Sequence, residues 1–253
     1  MSNQTFVAEL KAGMRTSFTG TSARFRKVKR TLCQGSMLLV LLLITGCDPT
    51  TTLFKSNFDP TPVDQPPATA QAVGTVVVDG GVRVAVIPGT NVKGAKFGRI
   101  GAANTAVLRC NLAQTPGDGT YVFSTSLFFP SGSGGLATIA FENGAGQQFL
   151  HLDFPFVSPT TGRVRIDDDE GTVFGETKRD QLFIVQVTLN ISAAGATAKV
   201  VLSGAGVSGE ATRNIPPPFV PFARQFGRVS ISSGLQADDS TFFATNIVVT
   251  RNN

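Results

Sequence analysis

From Gly74 to the end of the chain, apolar and polar residues alternate in short runs divided by Gly, Asn, Asp and Pro. Residues 182–191 show this most clearly. Phe183, Val185, Val187, Leu189 and Ile191 fall on one side of an extended chain, and Gln186, Thr188 and Asn190 on the other. Residues 120–129 repeat the pattern, with Tyr121, Phe123, Leu127 and Phe129 against Ser124 and Ser126. A period of two predicts strands that bury one face. Further strands are predicted near 105–110, 135–142, 147–154, 162–166, 171–174, 196–203, 227–232 and 241–250. Val76 to Val78, the turn Asp79-Gly80-Gly81 and Val82 to Ile87 read as a hairpin. Nothing in 74–253 keeps a helical period through three turns, and Ser192 to Ala196 reads as a turn around Gly195. About a dozen half-buried strands predict an all-β domain over 73–253, two antiparallel sheets packed as a sandwich or jelly roll.

Two upstream segments break this rhythm. Residues 47–72 hold Pro49, Pro60, Pro62, Pro66 and Pro67 among Thr, Asp, Gln and Ala, which predicts an extended, poorly packed tether on which Phe54 and Phe58 could dock to the domain. Before them, the cationic stretch Arg24 to Arg30 precedes the apolar run Met37 to Thr45 and then Gly46-Cys47. Charge, a short apolar segment and small residues in that order predict a signal peptide over 1–46. The apolar run is too short for about 30 Å of hydrocarbon.

Ile44-Thr45-Gly46-Cys47 resembles the lipobox of bacterial lipoproteins. The resemblance implies cleavage before Cys47, a diacylglyceryl group on its thiol, and a protein held by acyl chains on a membrane of the bacterial cell envelope. Asp48 is similar to the signal that keeps enterobacteria-like lipoproteins off the outer membrane, a rule that varies among bacteria, so either membrane stays open.

Composition locates the charge. The formal net charge of +5 suggests a nucleic-acid partner until it is placed along the chain. Residues 1–46 hold seven of the 22 Lys and Arg and one of the 17 Asp and Glu, leaving 15 basic and 16 acidic residues in 47–253. The mature body carries no basic stripe, and no nucleic-acid partner is expected. A 42% hydrophobic and 15% charged composition excludes a disordered chain. With Cys33 in the leader and Cys47 acylated, Cys110 has no partner for a disulfide and reads as a buried thiol.

The strand order over 120–203 resembles the concanavalin/laminin-G type of jelly roll. It comprises a Phe-rich strand, the turn Ser131 to Gly135, Leu136 to Phe141, Phe149 to Phe154, Arg163 to Ile166, then 182–191 and 196–203. That resemblance implies ligand binding on the concave sheet.

The chemistry on offer is sparse. His151 is the only histidine, with Asp153 beside it on the same strand face and no Gly-x-Ser-x-Gly elbow. No strand carries the spaced acids of a glycosidase pair. Asp167-Asp168-Asp169-Glu170 reads as a solvated hairpin tip, with Asp167 and Asp169 the ligands if calcium were bound. There is no zinc spacing, phosphate loop or dinucleotide motif, so no cofactor is expected. Without Trp, and with Tyr121 in an apolar alternation, stacking on sugars is disfavoured. The expectation is therefore a lipid-anchored, non-enzymatic binding or structural module with a protein or glycan partner. A carbohydrate-binding or carbohydrate-processing protein is the alternative. If the strands are neighbours, His151, Asp153, Arg163, Arg165, Gln186, Thr188 and Asn190 form one surface of directional donors and acceptors.

Overall fold

The computed structural model describes residues 50–252 apart from 99–104, 115–116, 133–135, 156–160, 168–172, 205 and 234–240. The signal segment, Cys47 and Asp169 lie outside the described residues. Fifteen strands run in chain order: β1 (Thr50–Ser56), β2 (Thr75–Asp79), β3 (Arg83–Val86), β4 (Lys93–Phe97), β5 (Val107–Asn111), β6 (Gly119–Phe128), β7 (Ala137–Asn143) and β8 (Gln148–Phe154); then β9 (Thr161–Ile166), β10 (Val173–Lys178), β11 (Leu182–Ser192), β12 (Gly195–Gly204), β13 (Val207–Ile215), β14 (Phe226–Ser233) and β15 (Phe242–Asn252). One 3-10 turn, Pro217–Phe219, and one short helix, Val220–Ala223, carry the chain from β13 to β14.

All pairings between these strands are antiparallel. The first sheet has the order β13-β12-β11-β6-β15-β4-β3, with β1 also on β15; the second has the order β2-β5-β14-β7-β8-β9-β10. They join where β10 touches β13 at Glu176 and Ser208. Glycine permits that junction: Gly175 has φ +64°, and a Cβ on Gly209 would lie 2.7 Å from the Gly175 Cα.

Alternation turns one face of each sheet inward, and the two inner faces make one core. Phe183, Val185, Val187, Leu189 and Ile191 are all buried, as are Leu150, Leu152 and Phe154 opposite them. Aromatic rings close the gap between layers. Phe123 of β6 meets Phe141 of β7 edge-on at 5.3 Å, Tyr121 meets Phe226 at 5.4 Å, and Phe154 meets Phe183 at 6.4 Å. This is the all-β jelly-roll sandwich that the alternation predicts. Tyr121 and Cys110 are core residues.

Three local expectations change. Residues 50–72 do not form a tether, because β1 pairs with β15 from Thr50↔Asn252 to Ser56↔Ile247. Leu53, Phe54 and Phe58 are buried in the core, and that apolar burial outweighs the loosening effect of the prolines that follow. Val76 to Ile87 is not a hairpin: β2 pairs with β5 in the second sheet, and β3 with β4 in the first. Asp79 to Val82 therefore crosses between layers, carrying Val76 and Val84 to separate sides of the core. Finally, β13 escapes the pattern because between its buried ends, Val207 and Ile215, the inward positions are Gly209, Ala211 and Arg213, too small or too polar to register as apolar alternation.

Candidate functional site

The second sheet presents three rows of side chains on its outer face. Burying Leu150, Leu152 and Phe154 leaves His151 and Asp153 of β8 facing out. The β7–β8 register shifts between Phe141 and Glu142, so Phe149 is the extra residue of a bulge. Its ring turns in against Phe226 at 5.7 Å. Gln148 thereby joins His151 on the outer face, with its Nε2 2.8 Å from the imidazole Nδ1.

His151 is the hub. Its Nε2 lies 3.5 Å from Asp153 Oδ2, and its Nδ1 lies 3.5 Å from Asp167 Oδ1. With Nδ1 accepting from the Gln148 amide as the amide is placed, the neutral ring carries its proton on Nε2, toward Asp153. A protonated ring turns both carboxylate contacts into ion pairs. Asp153 is only 3% exposed, and the Thr138 hydroxyl donates to its Oδ1 at 2.6 Å. Arg165 of β9 sits directly across from Asp153 in the register. Asp167 is tied down on both sides: the His151 N–H donates to its Oδ1 at 2.9 Å, and its own N–H donates to the His151 carbonyl at 3.1 Å. Arg213 Nε approaches Asp167 Oδ2 at 3.9 Å from the neighbouring sheet.

Register carries this cluster across the sheet. The middle row runs Arg109, Ser230, Ala140, His151. On one side stand Asn111, Arg228, Glu142 and Gln148, and on the other Val107, Ser232, Thr138 and Asp153. Most charges in the rows face a partner. Arg109 pairs with Asp79, and Arg228 donates through Nε to Asn111 Oδ1 at 2.9 Å while its Nη1 lies 3.4 Å from Glu142 Oε2. Ser230 and Ala140, each 6% exposed, form a low floor between longer side chains. The Ser230 hydroxyl has no hydrogen-bond partner there.

The structure brings together only part of the expected surface. His151, Asp153 and Asp167 converge, and Arg165 stands across from Asp153 in the register. Arg163 is exposed further along β9, its N–H bonded to the Pro155 carbonyl at 3.1 Å. Gln186, Thr188 and Asn190 belong to a different face, because β11 pairs with β6 and β12 in the first sheet and never meets β8 or β9. Asn190 accepts from the Thr120 hydroxyl at 2.9 Å. It borders a cavity of about 1030 Å³ between the β11–β12 turn and the segment holding Pro217, Val220 and Arg224. Thr138, Ser230, Arg109 and Arg228 were absent from the sequence-based surface, although the alternation of Arg228, Ser230 and Ser232 on β14 marks an outer face. Of the two residues named as ligands should calcium bind, Asp167 is described and is engaged as above, and Asp169 lies outside the described residues. No group of three or more potential metal ligands occurs among the described residues.

No protein-family profile and no curated protein sequence matches the chain. Similar solved structures include lectins, a lectin-like defense protein and a glycoside hydrolase catalytic domain. Lectin II from Ulex europaeus is 13% identical, covering 81% of this chain and 99% of its own, with a TM-score of 0.47. Arcelin-5, a lectin-like defense protein from Phaseolus vulgaris, is 9% identical over 81% of this chain and 98% of its own, at 0.46. The catalytic domain of the glycoside hydrolase family 131 protein from Coprinopsis cinerea is 12% identical over 79% and 94%, at 0.48. With a catalytic domain in that set, the expectation that the chain is not an enzyme is withdrawn.

Proposed function

We propose that this is a carbohydrate-binding protein, held by acyl chains on Cys47 to a membrane of the bacterial cell envelope, that takes its glycan on the outer face of the second sheet. The carrying observation is the fixed polar cluster Gln148–His151–Asp153–Thr138 and its extension through Arg228 and Glu142. Sugar hydroxyls both donate and accept, and this face sets carboxylate acceptors beside amide and guanidinium donors. The side chains are already oriented by one another, so few rotamers have to be frozen on binding. The rows contain no aromatic platform, so affinity must come from hydrogen bonds. Each such bond contributes a net of about 0.5–1.5 kcal/mol, or about 1.5–3 where a charge is involved. Lipid attachment rests on the sequence Ile44 to Cys47.

Electrophoresis through gels containing single polysaccharides tests the binding. The wild type is expected to be retarded by at least one of them and His151→Ala/Asp153→Ala to run freely; equal retardation of both overturns this site. Metabolic labelling with a palmitate analogue tests the anchor: label on the wild type and none on Cys47→Ala is expected, and equal label on both overturns it.

A further inference from the structure

We infer that the end of the sandwich carrying Thr50 rests on the lipid bilayer, with the β11–β12 turn and the Pro217–Phe219 segment dipped into its surface. The inference rests on the acyl anchor at Cys47 proposed above and specifies how the anchored body stands. Register is the first ground. Thr50 faces Asn252, Asn252 faces Thr120, Thr120 faces Asn190, Asn190 faces Thr197, and Thr197 faces Asn214. One uncharged row thus crosses six strands at this end. Just beyond it come the β11–β12 turn at Ala193-Ala194 and the segment that leaves β13 after Ile215, and both flank the cavity that Asn190 borders.

Chain length is the second ground. Cys47 stands three residues before Thr50, and three extended residues span at most about 11 Å. The turn reaches a similar distance past the row, since three residues lead from Asn190 to Ala193 and a strand rises about 3.4 Å per residue. An acylated Cys47 therefore leaves the body no slack to hold this end away from the bilayer. Asn214, at the far end of the row, lies five strand spacings from Thr50, about 24 Å along the sheet at about 4.8 Å each. Contact there as well as at the anchor keeps the row level with the surface.

The chemistry of the two projections is the third ground. Ala193, Ala194, Pro217, Pro218, Phe219 and Pro221 are exposed, and no charged residue occurs in 192–195 or 215–223. Phe219 is 41% exposed, its ring 6.4 Å from that of Phe222. An apolar ring carried on a stiff proline segment loses little freedom on insertion. The segment also brings few backbone donors that need water. Its four prolines have none, the Phe219 N–H donates to the Pro216 carbonyl at 2.9 Å, and the Val220 N–H donates to the Pro217 carbonyl. Behind it, Arg224 is paired with Asp118 at 2.6 Å, so the contact does not depend on anionic lipid.

Fluorescence tests this, because the chain has no tryptophan. The acylated full-length protein carrying Phe219→Trp is reconstituted in phosphatidylcholine vesicles made with plain or chain-brominated lipid. Its emission is expected to shift to the blue on reconstitution and to be mostly lost with brominated lipid, alike at low and high salt. Ala194→Trp, on the other projection, is expected to behave in the same way. Ile184→Trp, six residues before Asn190 on β11 and 42% exposed, is expected to keep its emission. Circular dichroism on each variant checks that the fold is kept. Acylated protein whose Phe219→Trp and Ala194→Trp forms emit as in water overturns the inference and leaves the anchor standing. Equal loss from Ile184→Trp does so too, since the body then lies on its side. Blue-shifted emission that brominated lipid leaves intact assigns the tip to a protein, such as a second copy, and also overturns it. Absence of acyl label on the wild type overturns the anchor and this inference with it.

Discussion

The two outer faces of the sandwich arise from the same alternation, yet they differ in how their polar groups are held. On the first sheet, Thr188, Thr212 and Lys199 stand in one row across β11, β12 and β13, with Glu210 in the next. Lys199 and Glu210 form an ion pair of 2.9 Å with side chains 47% and 58% exposed. Water screens such a pair, and each long side chain loses freedom in making it, so its contribution is about 0–1 kcal/mol. On the second sheet the carboxylate of Asp153 is buried, the His151 ring is largely so, and both are held by neighbours on β7 and β8. Polar groups withdrawn from water but fixed in orientation are costly for folding and serviceable for recognition. Counting polar residues does not separate the two faces; burial and partners do.

The sharpest way to break this contrast is to strip each face separately. His151→Ala/Asp153→Ala is expected to lower glycan affinity more than about tenfold, while Gln186→Ala/Thr188→Ala/Asn190→Ala leaves it within about twofold, read by titration on matched samples. A reversed ranking transfers the site to the first sheet.

Stability comes next in size. Asp153→Ala removes the acceptor of the Thr138 hydroxyl in a buried setting and should cost about 1–3 kcal/mol, read from the urea midpoint. Thr188→Ala is expected to stay within about 0.5 kcal/mol.

Cys110 lies on the inner side of β5, behind Arg109 and Asn111, and reports whether a face variant loosens the second sheet. Burial pushes its thiol far above the ordinary range, so the native protein holds it neutral and unreactive. Because the folded value is raised, the associated stability is fully present below the ordinary thiol range and is lost as alkali forces ionisation. Maleimide labelling near neutral pH should be negligible in the folded wild type and complete in denaturant. Fast labelling of the folded protein would show an open sheet. The smallest effect belongs to Lys199→Ala, expected to shift stability by at most about 1 kcal/mol and glycan binding not at all.

Much of this fold is legible in the sequence where burial is deep and alternation unbroken. The strands at 182–192, 195–204 and 148–154 are examples. Legibility fails where another force governs. β1 is hidden among prolines although Leu53 and Phe54 are core residues, and β13 hides because Arg213 occupies an inward position. Periodicity gives the face of a residue and not the identity of the next strand. His151 and Asp153 could therefore be grouped from parity alone, whereas joining Gln186, Thr188 and Asn190 to them needed a pairing between β8 and β11 that does not exist. The bulge at Phe149 is equally silent in the sequence, and it is what brings Gln148 beside the imidazole.

The pairing of β1 with β15 has a mechanical consequence. Thr50 faces Asn252 and Ser56 faces Ile247, so the two ends of the described body leave from the same corner. Tension applied between those ends acts across the ladder and opens it one pair at a time, like a zip. Tension between Ser56 and Asn252 runs along the strands and loads every pair together, as in a lap joint. A tug on the body through its N-terminal side and its C-terminal strand would thus meet the weaker of the two geometries. Single-molecule pulling along both axes should find the lower rupture force for the first.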